Sequence, residues 1–565
     1  MQTKLTLAAF AACLSLLHPA PAPAAPSRPN FLIIVADDLG FSDIGAFGGE
    51  IDTPNLDALA RSGARLTSFH VSPTCSPTRV MLLTGVDHHR AGIGNMAELL
   101  TSEQRGKPGY EGHVNDRVAT LAEELRAAGY HTLMSGKWHL GTEVGSWPAD
   151  RGFERSMALL QGGANHFGVT ERFHRVTTYV EDHKPVGIPD NFYSTDYFSD
   201  NLITLLNESK TGEKPFFAYL AFTAPHWPLQ APEALIAKYK GKYREGYEKL
   251  AAARMTRQKA LGLLGPNVRP HPMVGIKPWD QLTPEEKARE ERIMEVYAAM
   301  VDRIDSNIGR IVEVLKKNGQ FDNTVIMVVS DNGAAGSNYE GVGTFASDFG
   351  EFIAKNFDNR LENIGRANSL VWLGPGWGQA QTAPSFLFKI FTSEGGLRVP
   401  LIVSGPGVVS GKVISALSAA TDVAPTVLEM AGVSHQAEFN GRPVYPLDGV
   451  SLTSVLHGDA KEARPTDAPY GEELFGGRSL IKGDYKALYL TAMAANVDPA
   501  LQPGRWALYN LRLDPGETVD LAAKQPAKLA ELVQNWEAYA RQNGVVLPRE
   551  KPVGAVHDFA GGQAH

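Results

Sequence analysis

Two short apolar stretches, each ending in hard oxygen ligands, limit the folds open to this chain more than any other feature of it. Phe31-Leu-Ile-Ile-Val-Ala36 runs into Asp37-Asp38-Leu39-Gly40, and Thr324-Val-Ile-Met-Val-Val-Ser330 runs into Asp331-Asn332-Gly333. A continuous apolar run without alternation reads as a strand covered on both faces, the condition of a parallel sheet in an α/β fold. In open sheets of that kind, ligands bind in the crevice beyond the carboxyl ends of the strands. Either aspartate of the first pair, alone, could cap a helix or start a turn. Two such strands side by side would bring Asp37, Asp38, Asp331 and Asn332 into one crevice. Hard oxygen donors of this sort favour Ca²⁺ or Mg²⁺ over zinc.

Other strands lead into chemically active residues. Lys214–Phe222 is apolar after its first residues and exits into Thr223-Ala-Pro-His226-Trp-Pro228, where prolines hold the histidine in a stiff loop. Tyr130–Ser135 precedes Gly136-Lys137-Trp138-His139-Leu140-Gly141. In an extended segment Lys137 and His139 would point the same way, although a surface lysine beside a packed histidine is the plainer reading of that hexapeptide alone. The segment Cys75-Ser-Pro-Thr-Arg79 opens a helix, with Pro77 in its first turn and Val80–Leu83 carrying it into a core. Cys75 then sits at a helix N-terminus, which suits an anion, and Arg79 lies one turn on along the same face. Taken alone, this is also how an ordinary buried cysteine beside a surface arginine would look.

The rest of the chain reads as scaffold. Thr53 caps a helix that begins at Pro54, and Leu121–Ala128 is a helix closed by Gly129. Residues 231–290 are polar and rich in Lys and Glu, a helical excursion over the surface with no chemistry of its own. Thr283-Pro-Glu-Glu286 starts a helix whose Met294, Tyr297, Val301, Ile304, Ile308, Ile311 and Leu315 recur at helical spacing. Residues 334–384, rich in Gly and Asn with Trp372 and Trp377, are expected to form a long loop or lid over the strand ends. Lys389 and Glu394-Gly-Gly396 lead into a strand at Leu401–Ser404, and Asp422–Met430 begins a further helix. Short strands over 469–515 and a helix over 526–542 predict a small antiparallel sheet with a packed helix. The expected organisation is α/β: a catalytic unit over 26–450, a smaller C-terminal unit over 451–550 and a loose tail at 551–565.

A net charge of −8 over 565 residues argues against non-specific binding to nucleic acid or to an acidic membrane surface. Lys4, the apolar run Leu5–Leu17 and the small residues up to Ala25 make 1–25 a secretory signal peptide, with the mature chain periplasmic or secreted and without a stable membrane anchor. Its removal takes Cys13 and leaves Cys75 as the sole cysteine, so no internal disulfide is possible.

Cys75-Ser-Pro-Thr-Arg79 resembles the Cys-x-Pro-x-Arg signature of type I sulfatases, and the likeness extends from Pro29 to about Val546. It takes in Asp37-Asp38, Gly136–His139, Pro225-His226, Asp331-Asn332-Gly333, Lys389 and Glu394–Gly396. It is nearest to the long bacterial arylsulfatases through Gly85-Val-Asp87-His88-His89 and the stretch Asn359–Trp377. The resemblance implies an alkaline-phosphatase-like fold, a large mixed sheet between helices followed by a small four-stranded domain. It implies that a maturation enzyme converts Cys75 to formylglycine, whose hydrated diol attacks a sulfate ester. It implies one Ca²⁺ held by Asp37, Asp38, Asp331, Asn332 and residue 75. Lys137, His139, His226 and Lys389 would surround the sulfate, with His226 the acid for the leaving group, His139 the base for the second step, and Arg79 steadying the diol. A phosphonate or phosphodiester hydrolase of the same superfamily shares these motifs. An inactive binding homologue and an alkaline phosphatase are the remaining rivals; the latter needs a Ser or Thr nucleophile and further zinc ligands that the sequence lacks.

Overall fold

The apolar runs form the middle of an eleven-stranded mixed sheet. The computed structural model describes residues 28–169, 177–209, 214–338 and 349–549, so the expected leader at 1–25 and tail at 551–565 lie outside the described residues. The strands are β1 (Asn30–Ala36), β2 (Ala64–His70), β3 (His131–Lys137), β4 (Arg155–Leu159), β5 (Tyr179–Glu181), β6 (Lys184–Val186), β7 (Phe216–Ala221), β8 (Thr324–Ser330), β9 (Arg398–Ser404), β10 (Lys412–Ile414) and β11 (Ser418–Ala419). Their spatial order is β10-β2-β9-β8-β1-β7-β3-β4-β5-β6, with β11 beside β2. The central strands β8, β1, β7, β3 and β4 run parallel, while β9 lies antiparallel to both β8 and β2. In register, Ile33 faces Tyr219 on one side and Met327 on the other.

Both faces of β1 are covered, which is why its sequence does not alternate. Phe31, Ile33 and Val35 pack with Val80, Met81, Leu82 and Leu83 of the helix Cys75–Thr84 and with Leu121 and Leu125 of the helix Leu121–Ala127. Leu32, Ile34 and Ala36 pack on the other side with Ile304, Ile308 and Ile311 of the long helix Pro284–Lys317. Each of these apolar side chains larger than alanine, 0–2% exposed, stabilises the fold by about 1.5–3 kcal/mol. The long helix begins as expected: Thr283 accepts from the Glu286 N–H, and the Glu286 carboxylate accepts from the Thr283 N–H.

The C-terminal sheet has four antiparallel strands, Tyr470–Leu474, Gly477–Lys482, Tyr485–Tyr489 and Trp506–Asn510. The helix Pro526–Asn543 buries Leu532 and Trp536 against Leu480, Ala487 and Leu508. Buried polar pairs join this sheet to the large one. Glu472 accepts from Ser72 Oγ at 3.0 Å and meets His88 Nε2 at 2.9 Å. Glu473 meets His89 Nε2 at 3.0 Å, and Lys486 Nζ donates to Glu394 at 2.8 Å.

Three expectations about the scaffold fail. Thr53 does not cap its helix through its side chain; its hydroxyl accepts from the Gly45 N–H and donates to Asp57, pinning the preceding turn instead. The described part of 334–384 is not one loop, for it holds helices at Phe349–Asn356 and Gly374–Thr382. Trp377 is fully buried against Tyr243, Tyr247 and Trp279 and so anchors the second of these in the core rather than covering strand ends. The 231–290 excursion is not wholly superficial either. Its helix Tyr247–Ala260 buries Arg254, which forks onto Glu50 and reaches Asp43 at 2.5 Å, because a charge taken from water needs partners on every side. Among the described residues, no helix is long and apolar enough to cross a membrane.

Candidate active site

The carboxyl ends of four adjacent strands deliver most of the site. Asp37 and Asp38 follow β1, Asp331 and Asn332 follow β8, His226 leaves β7 five residues on, and Lys137 ends β3 with His139 just beyond. Cys75 opens its helix from the facing side, and Lys389 comes from the turn before β9. All ten expected residues converge, and nine are at most 9% exposed, with His226 part-buried at its side chain. Lys137 and His139 do not share an extended segment as expected. His139 adopts φ of 56° and Gly136 of 121°, so the backbone departs from regular extension while its N–H groups still pair with Leu159 and Leu160, and both side chains reach the crevice. Asp38 also has positive φ, 70°, held by its N–H donating to Asp331 Oδ1 at 3.2 Å and by the Leu39 N–H donating to Ser330 Oγ at 3.0 Å.

Each carboxylate has cationic neighbours. Lys137 Nζ lies 2.7 Å from Asp37 Oδ2, and Lys389 Nζ 2.6 Å from Asp38 Oδ1. Arg79 grips Asp331 Oδ2 with Nε and Nη2 at 2.9 and 2.6 Å and donates Nη1 to the Lys137 carbonyl at 3.1 Å. Burial alone would favour neutral Asp37, but Lys137, Arg79 and Lys389 outweigh it and hold that carboxyl below its usual range. Burial and the Asp37 charge push Asp331 upward. The Cys75 thiol is pushed up by burial, yet the Lys137 and Lys389 ammoniums lower it overall.

Three buried oxygens, Asp37 Oδ1, Asp38 Oδ2 and Asn332 Oδ1, have no hydrogen-bond partner. Oxygens taken from water and left unpaired are costly, and here they belong to residues gathered around Cys75. Asp37, Asp331 and Cys75 offer ligand atoms within 4.8 Å of one another, as do Asp37, Asp38 and His226. This donor set, hard and anionic, fits a Ca²⁺ ion.

The two histidines are held differently. His226 Nδ1 donates to the Trp227 carbonyl at 2.6 Å, which leaves Nε2, 3.7 Å from Asp38 Oδ2, facing the crevice. Burial drives its ring far below the ordinary range; Asp38 opposes this and Lys389 and Lys137 reinforce it. His139 Nε2 pairs with Glu98 Oε1 at 3.1 Å, and its Nδ1 side faces Cys75. Burial disfavours its charged form, but Glu98 and Cys75 raise it to about 9. Glu98 had no signal in the sequence, for nothing in Met96-Ala-Glu-Leu99 marks it and its partner is 41 residues away. A Cβ on Gly162 would stand 2.5 Å from His139 Cε1, so only glycine lets the His139 ring lie where it does.

The sulfatase family profile matches residues 29–433. The chain belongs to the sulfatase family. Its fold is alkaline-phosphatase-like, and it is a sulfuric ester hydrolase. It is 46% identical over 536 residues to an uncharacterised sulfatase of Schizosaccharomyces pombe, covering 92% of this chain and 94% of that one. It is 41% identical over 457 residues to an arylsulfatase of Klebsiella aerogenes, covering 79% of this chain and 96% of that one. Among solved structures, Ps i-CgsB in complex with k-i-k-neocarrahexaose superposes with a TM-score of 0.66 at 25% identity, over 94% of this sulfatase and 97% of that chain.

Proposed function

We propose that this sulfatase is an exported arylsulfatase that cleaves small sulfate esters to an alcohol or phenol and sulfate, using formylglycine made from Cys75 by a maturation enzyme, and one Ca²⁺. The observation that carries the reading is the set of three unpaired oxygens on Asp37, Asp38 and Asn332 beside a cysteine at a helix N-terminus. Asp37, Asp38, Asp331 and Asn332 would hold the ion, with residue 75 beside them. When bound, Ca²⁺ supplies charge to the sulfate oxygens, and the hydrated aldehyde supplies a nucleophile with a second hydroxyl for releasing sulfate.

The side chains of the chain itself do the remaining work. The Lys137 and Lys389 ammoniums, already in the crevice, neutralise oxygens that gain charge as the sulfur–oxygen bond breaks. Arg79 fixes Asp331 and the Lys137 backbone, so the carboxylates keep their spacing. His226 Nε2 faces the leaving oxygen and gives it a proton; the anionic ester entering beside the ring offsets the lysines and restores that proton. His139, turned to residue 75 by Glu98, serves proton movement there in the second step.

Peptide mass analysis and a carbonyl-reactive probe should find an aldehyde at position 75, and Cys75→Ala should be folded and inactive. Metal analysis should find about one Ca²⁺ per chain, with oxygens at about 2.3–2.6 Å. Full activity with an unmodified thiol, or stoichiometric zinc without calcium, overturns this mechanism. Faster turnover of phosphonate monoesters than of sulfate esters overturns the substrate class. N-terminal sequencing of the secreted chain should begin near residue 26.

A further inference from the structure

We propose that His166 is a positioning residue for His226, the last link of a hydrogen-bonded chain from Thr223 through Ser194 that aims the His226 ring at the leaving oxygen. The inference rests on the reading of His226 as proton donor.

His166 lies in the loop after β4 and is 1% exposed. Its Nε2 is 2.9 Å from the His226 carbonyl oxygen. A carbonyl only accepts, so Nε2 carries the proton. Burial holds the ring neutral, at about 4, and Nδ1 therefore accepts from Ser194 Oγ at 2.7 Å. Ser194 Oγ in turn accepts from Thr223 Oγ1 at 3.1 Å. The backbone of His166 is pinned as well: its N–H donates to Gln230 Oε1 at 2.9 Å, and its carbonyl accepts from the Ser194 N–H at 2.8 Å. Gln230 spends its amide on the Ala367 and Ser369 carbonyls. Thr223 is just past β7, and Ser194 opens the helix Ser194–Ser209, so three separate elements converge on one carbonyl.

That carbonyl belongs to the peptide joining His226 to Trp227. Holding it fixes ψ of His226 and φ of Trp227. Through them it places the Trp227 carbonyl that takes the Nδ1 proton and the indole on which the imidazole stacks, 5.3 Å between centroids at 23°. The orientation of His226 Nε2 thus depends on a group that never meets substrate.

The test is single-turnover cleavage of an alkyl sulfate and of nitrophenyl sulfate by the matured, calcium-loaded enzyme. His166→Phe keeps a ring but no donor, and should lose about 10- to 10²-fold on the alkyl sulfate. Its loss on nitrophenyl sulfate, whose leaving group needs little protonation, should be several-fold smaller. His166→Gln can present an amide N–H where Nε2 stands and should recover most of the rate. In a His226→Ala background, His166→Phe should add less than about 2-fold, because both substitutions then remove one effect. Equal slowing of both substrates by His166→Phe, undiminished in the His226→Ala background, overturns the inference. Should His226→Ala alone slow both substrates equally, the proton-donor reading fails, while the non-additivity still decides whether His166 works through His226. If His166→Phe does not fold, Ser194→Ala, which removes the hydroxyl on Nδ1, should show a smaller effect with the same substrate bias, and no such bias refutes the chain.

Discussion

Glu473→Gln tests what a buried imidazolium contributes to the joint between the two sheets. His89 is fully buried, with Nδ1 2.9 Å from Asp87 Oδ1 and Nε2 3.0 Å from Glu473 Oε2. Both nitrogens face acceptors, so the ring carries two protons. Burial by itself would drive it neutral, but the carboxylates of Asp87 and Glu473 raise it to about 10. Moving from an ordinary 6.5 to about 10 contributes at most about 5 kcal/mol to folding. That contribution is complete below pH 6.5 and lost by about pH 10, so stability should fall as pH rises through this window. Glutamine keeps the shape of Glu473 and an acceptor for the Gly476 N–H, now 2.6 Å from Oε1. It removes the charge and puts an amide NH2 where Oε2 accepted from His89, so Nε2 must give up its proton to accept from that donor. Since a hydrogen bond to a charged group is worth about 1.5–3 kcal/mol, the variant should lose about 2 kcal/mol near pH 6. Its decline from neutral to alkaline pH should also be shallower, because Asp87 alone then holds the proton. Urea unfolding followed by tryptophan fluorescence at several pH values measures both. A variant whose stability falls with pH as steeply as that of the native chain refutes the reasoning.

Arg254→Met should destabilise the fold by about 3–5 kcal/mol in urea, since it strands Asp43 in the core and takes the main partner of the half-buried Glu50; a change under about 1 kcal/mol refutes it. Glu98→Gln should lower kcat by about 10-fold or more with little change in KM, because the amide can still accept from His139 but no longer supplies the charge that holds the ring's second proton; an unchanged kcat counts against this. His226→Ala should lose about 10²–10⁴-fold in cleaving an alkyl sulfate and much less with nitrophenyl sulfate, steepening the dependence of rate on leaving-group pKa. Equal losses would mean that His226 binds the sulfate instead.

The central sheet was legible because burial on both faces leaves a mark in the sequence. β1 and β8 read as unbroken apolar runs, and their ends carry ligands that a turn does not need. The same logic located His226 and Lys137 by the strands they follow, whereas Lys389 precedes its strand and was named only through the resemblance to sulfatases. Other parts left no such mark. Glu98, Arg254 and His166 matter through partners 41, 204 and 60 residues away, and a charged or polar side chain in a loop looks alike whether it meets water or a catalytic ring. Trp377 misled in the opposite way: glycines and a proline around it suggested a loop, but the indole found Tyr243, Tyr247 and Trp279 and drew its segment into a helix. Thr53 had the residue type and position of a cap, and a neighbouring turn claimed its hydroxyl first.

The burial of Cys75 sets an order of events. In the folded chain its side chain is 1% exposed, beneath carboxylates contributed by β1 and β8. Asp38 and Asp331 are 293 residues apart, so the pocket over the thiol closes only after the ribosome has released β8 and, beside it, β9. Any enzyme that alters the thiol must therefore reach it on a nascent or unfolded chain. Under the proposed conversion of Cys75 to formylglycine, the rate of folding would compete with the rate of conversion, and a variant that folds faster would accumulate well-folded protein still carrying the thiol.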